Sequence, residues 1–290
     1  MLKSMYNICN PYIKQGCVMK NWKLFAVAWM VPCLLVSILA GCTVAPPAAA
    51  KIPIPIAQQD NLIAQPGTSV LMQQIWEENY PFYQKILAHP YNRDLLSGKL
   101  DESLFREYII QDYHFCQYYK RAHAILLAKA PDESASKFVV NIIGQIDDEI
   151  TALHEGYIKK YNITEQELAS PTAYPGTELY CDFLIRTATL EPFEVGLMAT
   201  MPCHWVYYQV GVDMKKAEKV QGNKYQAWID QYGTTAWENS EAKKDVDFAE
   251  KYMQAASAET RLKMKNAFVT AMKLEYMFWD GVYNRAKWVE

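Results

Sequence analysis

Asp101–Lys129 reads DESLFREYIIQDYHFCQYYKRAHAILLAK. Leu104, Phe105, Tyr108, Ile109, Phe115, Cys116 and Tyr119 return at the spacing of one helical face, and Asp101 ahead of them is a capping residue. The spacing predicts a long helix that ends before Pro131. Working outward, Ser69–Ala88 has a similar stripe, broken at His89-Pro90, and Ser97-Gly98 marks a turn. Asp132 caps a helix whose stripe, Val139, Ile142, Ile146, Ile150 and Leu153, continues to about Tyr161. Thr164-Glu165-Gln166-Glu167 is a capping box, and Ser170–Gly176 reads as loop. Helices are expected at Thr177–Leu190, Pro192–Lys219, Asn223–Tyr232, Thr235–Ala255 and Ala258–Trp288. Nothing alternates as a strand would, so the body from residue 69 to 290 is predicted to be all-α, one helical-bundle domain.

The N-terminal part has a different character. Lys20 and Lys23 precede an apolar run, Leu24–Gly41, which ends in Leu39-Ala40-Gly41-Cys42. A basic start, an apolar middle and small residues at the end describe a secretory signal. The last four residues resemble a bacterial lipobox, which implies lipidation at Cys42, with Met19 as a more typical start than Met1. Residues 1–41 are then an extension plus a lipoprotein signal peptide. Residues 42–68 form a lipidated tether rich in Pro and Ala. The protein is expected on the periplasmic face of a bacterial membrane, with Thr43 leaning towards the outer membrane, and it meets the membrane through that lipid alone. An uncleaved anchor is the competing reading, because 18 apolar residues nearly span a bilayer.

A net charge of −3 leaves no electrostatic footprint for nucleic acid. The 20 Tyr and 8 Trp point to aromatic-walled space inside the bundle. Three helices put a polar group on an apolar stripe: Asp112 beside Phe115 and Cys116, Cys203 one turn below Tyr207, and Glu275 beside Phe278 and Trp279. A buried carboxylate is costly unless paired, and a cysteine lined by rings suits either core packing or attack on a flat substrate.

In order along the chain come Trp76, HPYNRDLLSGKL (His89–Leu100), FREYIIQDYHF (Phe105–Phe115), SPTAY (Ser170–Tyr174), MPCHWVYY (Met201–Tyr208), WIDQY (Trp228–Tyr232) and LEYMFWDGVY (Leu274–Tyr283). This set resembles the TenA/thiaminase II family over residues 70–288. The resemblance implies a haem oxygenase-like fold, commonly a homotetramer, and a hydrolase in thiamine salvage. Such an enzyme cleaves thiamine or an aminomethylpyrimidine to a hydroxymethylpyrimidine without a cofactor or metal. It also implies roles: Cys203 as the nucleophile on the pyrimidine ring, and Glu275 as the acid at a ring nitrogen. Asp112 would hold the aminopyrimidine edge, and Tyr180, Tyr207 and Tyr232 would line the pocket. Phe115 stands where a tyrosine is common, and His204, one residue past the nucleophile, is expected to face away. A disulfide from Cys203 to Cys116 or Cys181 would block the chemistry.

Two other readings stay open. One is a pyrimidine-binding lipoprotein without turnover. The other is a haem oxygenase-like metal oxidase drawing on His89, His114, His123, Asp148, Glu149 and His154, although the spacing of Asp148, Glu149 and His154 converges poorly on one helical face.

Overall fold

In the computed structural model, residues 70–151, 155–169 and 173–289 are described, and among them there is no strand. The segments expected as signal and tether, including Cys42, lie outside the described residues. Among those described, no helix is long and apolar enough to cross a membrane.

The helices are α1 (Val70–Leu87), α2 (Pro90–Leu96), α3 (Glu102–Ala128), α4 (Glu133–Glu149), α5 (Glu155–Lys160), α6 (Glu165–Ala169), α7 (Pro175–Leu190), α8 (Phe193–Lys216), α9 (Gln226–Gln231), α10 (Glu241–Ala255) and α11 (Ala258–Asn284). Their starts follow local chemistry. The Asp101 carboxylate accepts from the Ser103 amide at 2.7 Å, and Asp132 accepts from Ala135 at 2.8 Å. The box before α6 is reciprocal: the Glu167 carboxylate accepts from the Thr164 amide at 2.9 Å, and the Thr164 hydroxyl accepts from the Glu167 amide at 3.3 Å. Buried Glu250 of α10 accepts from the Met72 amide at 2.9 Å, so one helix supplies the cap of another.

Four segments depart from the sequence reading. The break at His89-Pro90 opens onto α2, with Pro90 in the first turn, where its missing N–H costs nothing, and His89 Nδ1 accepting from the Tyr91 amide. The helix expected to run to Tyr161 stops at Glu149 and widens into a π turn at Ile150–Thr151. Tyr157 and Tyr161 of that stretch pack on Phe105, with centroids 5.0 and 5.9 Å away, rather than extending the α4 stripe. The helix expected at Thr235–Ala255 is divided by Ser240. Its hydroxyl donates to the carbonyl of Trp237, which closes a 3₁₀ turn, and accepts from the Lys243 amide, which starts α10. The last helix ends at Asn284 because Arg285 adopts a left-handed cap with φ 49°.

The centre is formed by α3, α7, α8 and α11, with α8 on α11 and α3 on α7 as the most extensive contacts. α4 covers α3, while α1 and α10 close the other flank. Indoles hold the middle: Trp76 stacks on Trp205 at 4.6 Å, and both are fully buried with Trp228 and Trp279.

Candidate active site

Cys203 follows Pro202 inside α8. Proline has no N–H, so the carbonyl of Met198 loses its usual helical donor just before the cysteine. One turn before Cys203, the carbonyl of Thr200 accepts the Tyr119 hydroxyl at 2.9 Å, which straps α3 to this part of α8. The thiol is half-buried and opens onto a cavity of about 370 Å³, a volume that suits a small organic ligand. Asp112, Phe115, Cys116 and Tyr119 come to the cavity from α3, and Asp148 and Glu149 from the end of α4. Tyr207 comes from α8, and Tyr232 from the turn after α9.

Behind Asp112, Phe115 and Tyr207 lies a void of about 10 Å³, which they share with Tyr180, Glu275 and Phe278. Asp112 and Glu275 are 6% and 2% exposed, which places both carboxyl groups in the interior. The Tyr180 hydroxyl donates to Glu275 Oε1 at 2.8 Å. Rings form the walls: Phe115 lies 4.8 Å from Tyr180, and Tyr207 lies 5.2 Å from Tyr232 and 5.1 Å from Trp279. Tyr232 is held at the mouth by donating to Glu149 Oε1 at 2.7 Å. The turn after it is tight. A Cβ on Gly211 would meet the Tyr232 carbonyl at 2.5 Å, and Gly233 takes φ +60°, which only glycine adopts freely.

Surroundings set the protonation states. Burial, then the charges of Glu275, Glu149 and Asp112, push the Cys203 thiol well above its usual range, and a hydrogen bond with Tyr119 works the other way. Burial pushes Glu275 up to about 8, with the hydrogen bond from Tyr180 opposing it. At neutral pH the site therefore holds a thiol beside a carboxylic acid that can donate a proton.

All seven side chains singled out in the body, Cys203, Glu275, Asp112, Phe115, Tyr180, Tyr207 and Tyr232, lie around these two adjoining spaces. Cys116, Cys181 and Cys203 are free thiols. One expectation is corrected: His204 does not face away but lines the cavity, because Asp245 of α10 draws its ring inward at 2.5 Å. The sequence reading also missed Tyr119 and Glu149 as cavity residues. Glu149 continues the stripe of Ile142 and Ile146, and Asp245 lies between Ala242 and Ala249 on a buried face, so both left a signal. The histidines considered for a metal take other partners: His89 approaches Asp280 at 3.3 Å, His114 approaches Glu178 at 3.4 Å, and His123 bonds the Tyr119 carbonyl at 2.9 Å. Among the described residues, no three metal-binding side chains come together. His154 lies outside them.

The described residues thus form an all-α bundle in which a thiol and carboxyl groups border an aromatic-walled cavity. A domain with a heme oxygenase-like fold from Shewanella denitrificans superposes with a TM-score of 0.56 at 15% identity, covering 74% of this chain and 92% of that one. A TenA homologue from P. horikoshii superposes with a TM-score of 0.62 at 23% identity, covering 74% and 99%. The pattern of the TENA/THI-4/PQQC family matches residues 72–285, and the chain belongs to that family. The aminopyrimidine aminohydrolase of Bacillus subtilis is 27% identical over 212 residues, which cover 71% of this chain and 87% of that enzyme. The aminopyrimidine aminohydrolase of Helicobacter pylori is 24% identical, covering 73% and 97%.

Proposed function

We propose that the protein is an aminopyrimidine aminohydrolase of the thiaminase II type, which releases hydroxymethylpyrimidine from thiamine or from an aminomethylpyrimidine. Similarity to enzymes of that name supports the reading. The observation that carries it is Cys203 facing an aromatic cavity beside Asp112, with protonated Glu275 immediately behind.

An aminopyrimidine offers ring nitrogens as acceptors and an amino group as donor. The Asp112 carboxylate accepts from the amino edge, and Glu275 donates to a ring nitrogen. Cys203 Sγ bonds to a ring carbon while Glu275 passes its proton to the nitrogen, and the thiol proton replaces it on Glu275. Sulfur and hydrogen are thus added across the ring bond, and protonation makes the ring an electron sink. The electron pair returning from the ring expels the group on the methylene, and water takes its place. Tyr207, Tyr232, Phe115 and Tyr180 stack around the ring and keep bulk water from Glu275.

The test is to incubate the purified full chain with thiamine and with aminomethylpyrimidine and to separate the products. Hydroxymethylpyrimidine, with equimolar thiazole or ammonia, is expected. Saturable pyrimidine binding with no product would make the protein a binding lipoprotein instead.

The same proposal extends to placement and assembly. Cys42 carries the lipid that tethers the body at the periplasmic face, and four copies associate. The apolar run ending at Cys42 supports the first, and the habit of the resembled family supports the second.

A further inference from the structure

His204 stands next to Cys203 in the chain and shares its cavity. Its Nδ1 lies 2.5 Å from Oδ2 of Asp245, whose side chain is 4% exposed. That bond occupies one ring nitrogen and fixes the ring plane. Nε2 is then the nitrogen left to the cavity, where the side chain keeps 18% of its surface. The Tyr119 ring flanks the imidazole at 5.7 Å, and Tyr119 also hydrogen-bonds with Cys203. One aromatic side chain therefore touches both the nucleophile and the imidazole. Packing alone does not call for this pair, since two desolvated ionisable groups seldom stabilise a core better than apolar ones of similar volume.

We propose that His204 is a catalytic proton acceptor in this reaction, taking a proton at Nε2 from the water that replaces the leaving group, while Asp245 holds its ring. The inference rests on the hydrolase reading above. Once the leaving group has gone with the carbon–nitrogen electron pair, the pyrimidine stays bonded to Cys203 and carries an exocyclic methylene. The water oxygen bonds to that methylene carbon, the double-bond pair returns to the ring, and one O–H proton moves to Nε2. The addition of Cys203 then runs in reverse, and the imidazolium gives its proton to solvent. Neutral His204 donates Nδ1–H to the Asp245 carboxylate throughout, so the charge that forms on the ring is already countered. Carboxylates also line this cavity: Glu149 Oε1 already accepts from Tyr232, Glu241 already accepts from Gln145 and Lys244, and Asp112 and Asp148 are the others.

The groups facing His204 are Asp245 and Glu241 from α10, Glu149 from α4, Tyr119 and His123 from α3, and Glu275 from α11. Burial lowers the pKa of the imidazole, but Asp245, Glu149 and Glu241 outweigh burial and leave it raised. The basic form therefore grows in as pH rises through a raised pKa.

Rapid-quench kinetics on the full chain, with thiamine and with aminomethylpyrimidine, test the assignment. In His204→Gln the leaving group is expected in a burst of one equivalent per site. Steady turnover should then be slower by about 10²–10⁴-fold, with the pyrimidine adduct of Cys203 accumulating in intact-protein mass spectra. In Asp245→Asn, which keeps the base but removes the charge, the rising limb of kcat against pH should move to lower pH. A folded His204→Gln that binds the pyrimidine normally and turns over without burst or adduct would overturn the proposal. So would a burst in Glu149→Gln but not in His204→Gln. If His204→Gln does not fold, an unmoved limb in Asp245→Asn overturns it. A wild-type protein that releases neither thiazole nor ammonia overturns the hydrolase reading and this proposal with it, whereas an active wild type with a burst-free His204→Gln overturns this proposal alone.

Discussion

Glu275 holds its proton because the folded chain denies the carboxylate water, and that has a price in stability. Its folded pKa is about 8, against an ordinary value of 4.5. Between those values the unfolded chain ionises at this position and the folded chain does not, so unfolding releases a proton. Its contribution is complete below the ordinary pKa and is lost as pH rises towards about 8, by about 1.4 kcal/mol for each pH unit. Glu275→Gln removes that dependence. Thermal melts from pH 5 to pH 8 are expected to show the variant gaining on the wild type as pH rises, while its turnover collapses. A pH-independent gap between the two would refute the buried-acid assignment. In the proposed mechanism, the same value places the loss of proton donation by Glu275 above about pH 8. Cys203 is the complementary case: a thiol kept protonated by its surroundings is a poor target for oxidants until the substrate engages it.

At the scale of elements, the cavity is shaped by where helices stop. α4 ends at Glu149, and α9 ends just before Tyr232, and the bond between those two side chains closes the mouth. Gly211 of α8 lets the Tyr232 backbone come near enough for it. Gly211→Ala is expected to push Tyr232 outward and break its bond to Glu149, raising the KM for aminomethylpyrimidine several-fold with little change in helix content. Unchanged KM and unchanged structure around Tyr232 would contradict this. The apolar stripes of α3, α8 and α11 were legible in the sequence because each is long and periodic. The endings were less so. The π turn after α4, the 3₁₀ turn closed by Ser240 and the left-handed Arg285 are backbone changes of a few residues, and an apolar stripe does not register those. His204 was misplaced for a similar reason: helical spacing turns it from Cys203, but spacing does not know of Asp245 on another helix.

Across the whole molecule, one face of each of several helices supplies part of the site, and the bundle assembles the parts. That is why motif order marked the site residues while their contacts waited for the fold. Asp112 and Glu275 lie far apart in sequence, yet both border the space behind Phe115. The proposed lipid at Cys42 would put this chemistry outside the cytoplasm. Cys42→Ala is expected to move the protein from the membrane to the soluble fraction, and unaltered fractionation would favour an uncleaved anchor. Light scattering on the released protein is expected to give the mass of four chains, and a monomer would contradict the proposed assembly.

The central claim is that Cys203 attacks a pyrimidine bound in the aromatic cavity. Its most direct test compares wild type and Cys203→Ser for hydroxymethylpyrimidine formation and for pyrimidine affinity in the same preparations. Turnover should disappear in the variant while affinity stays within a few-fold of wild type. Undiminished turnover in Cys203→Ser would contradict the claim outright.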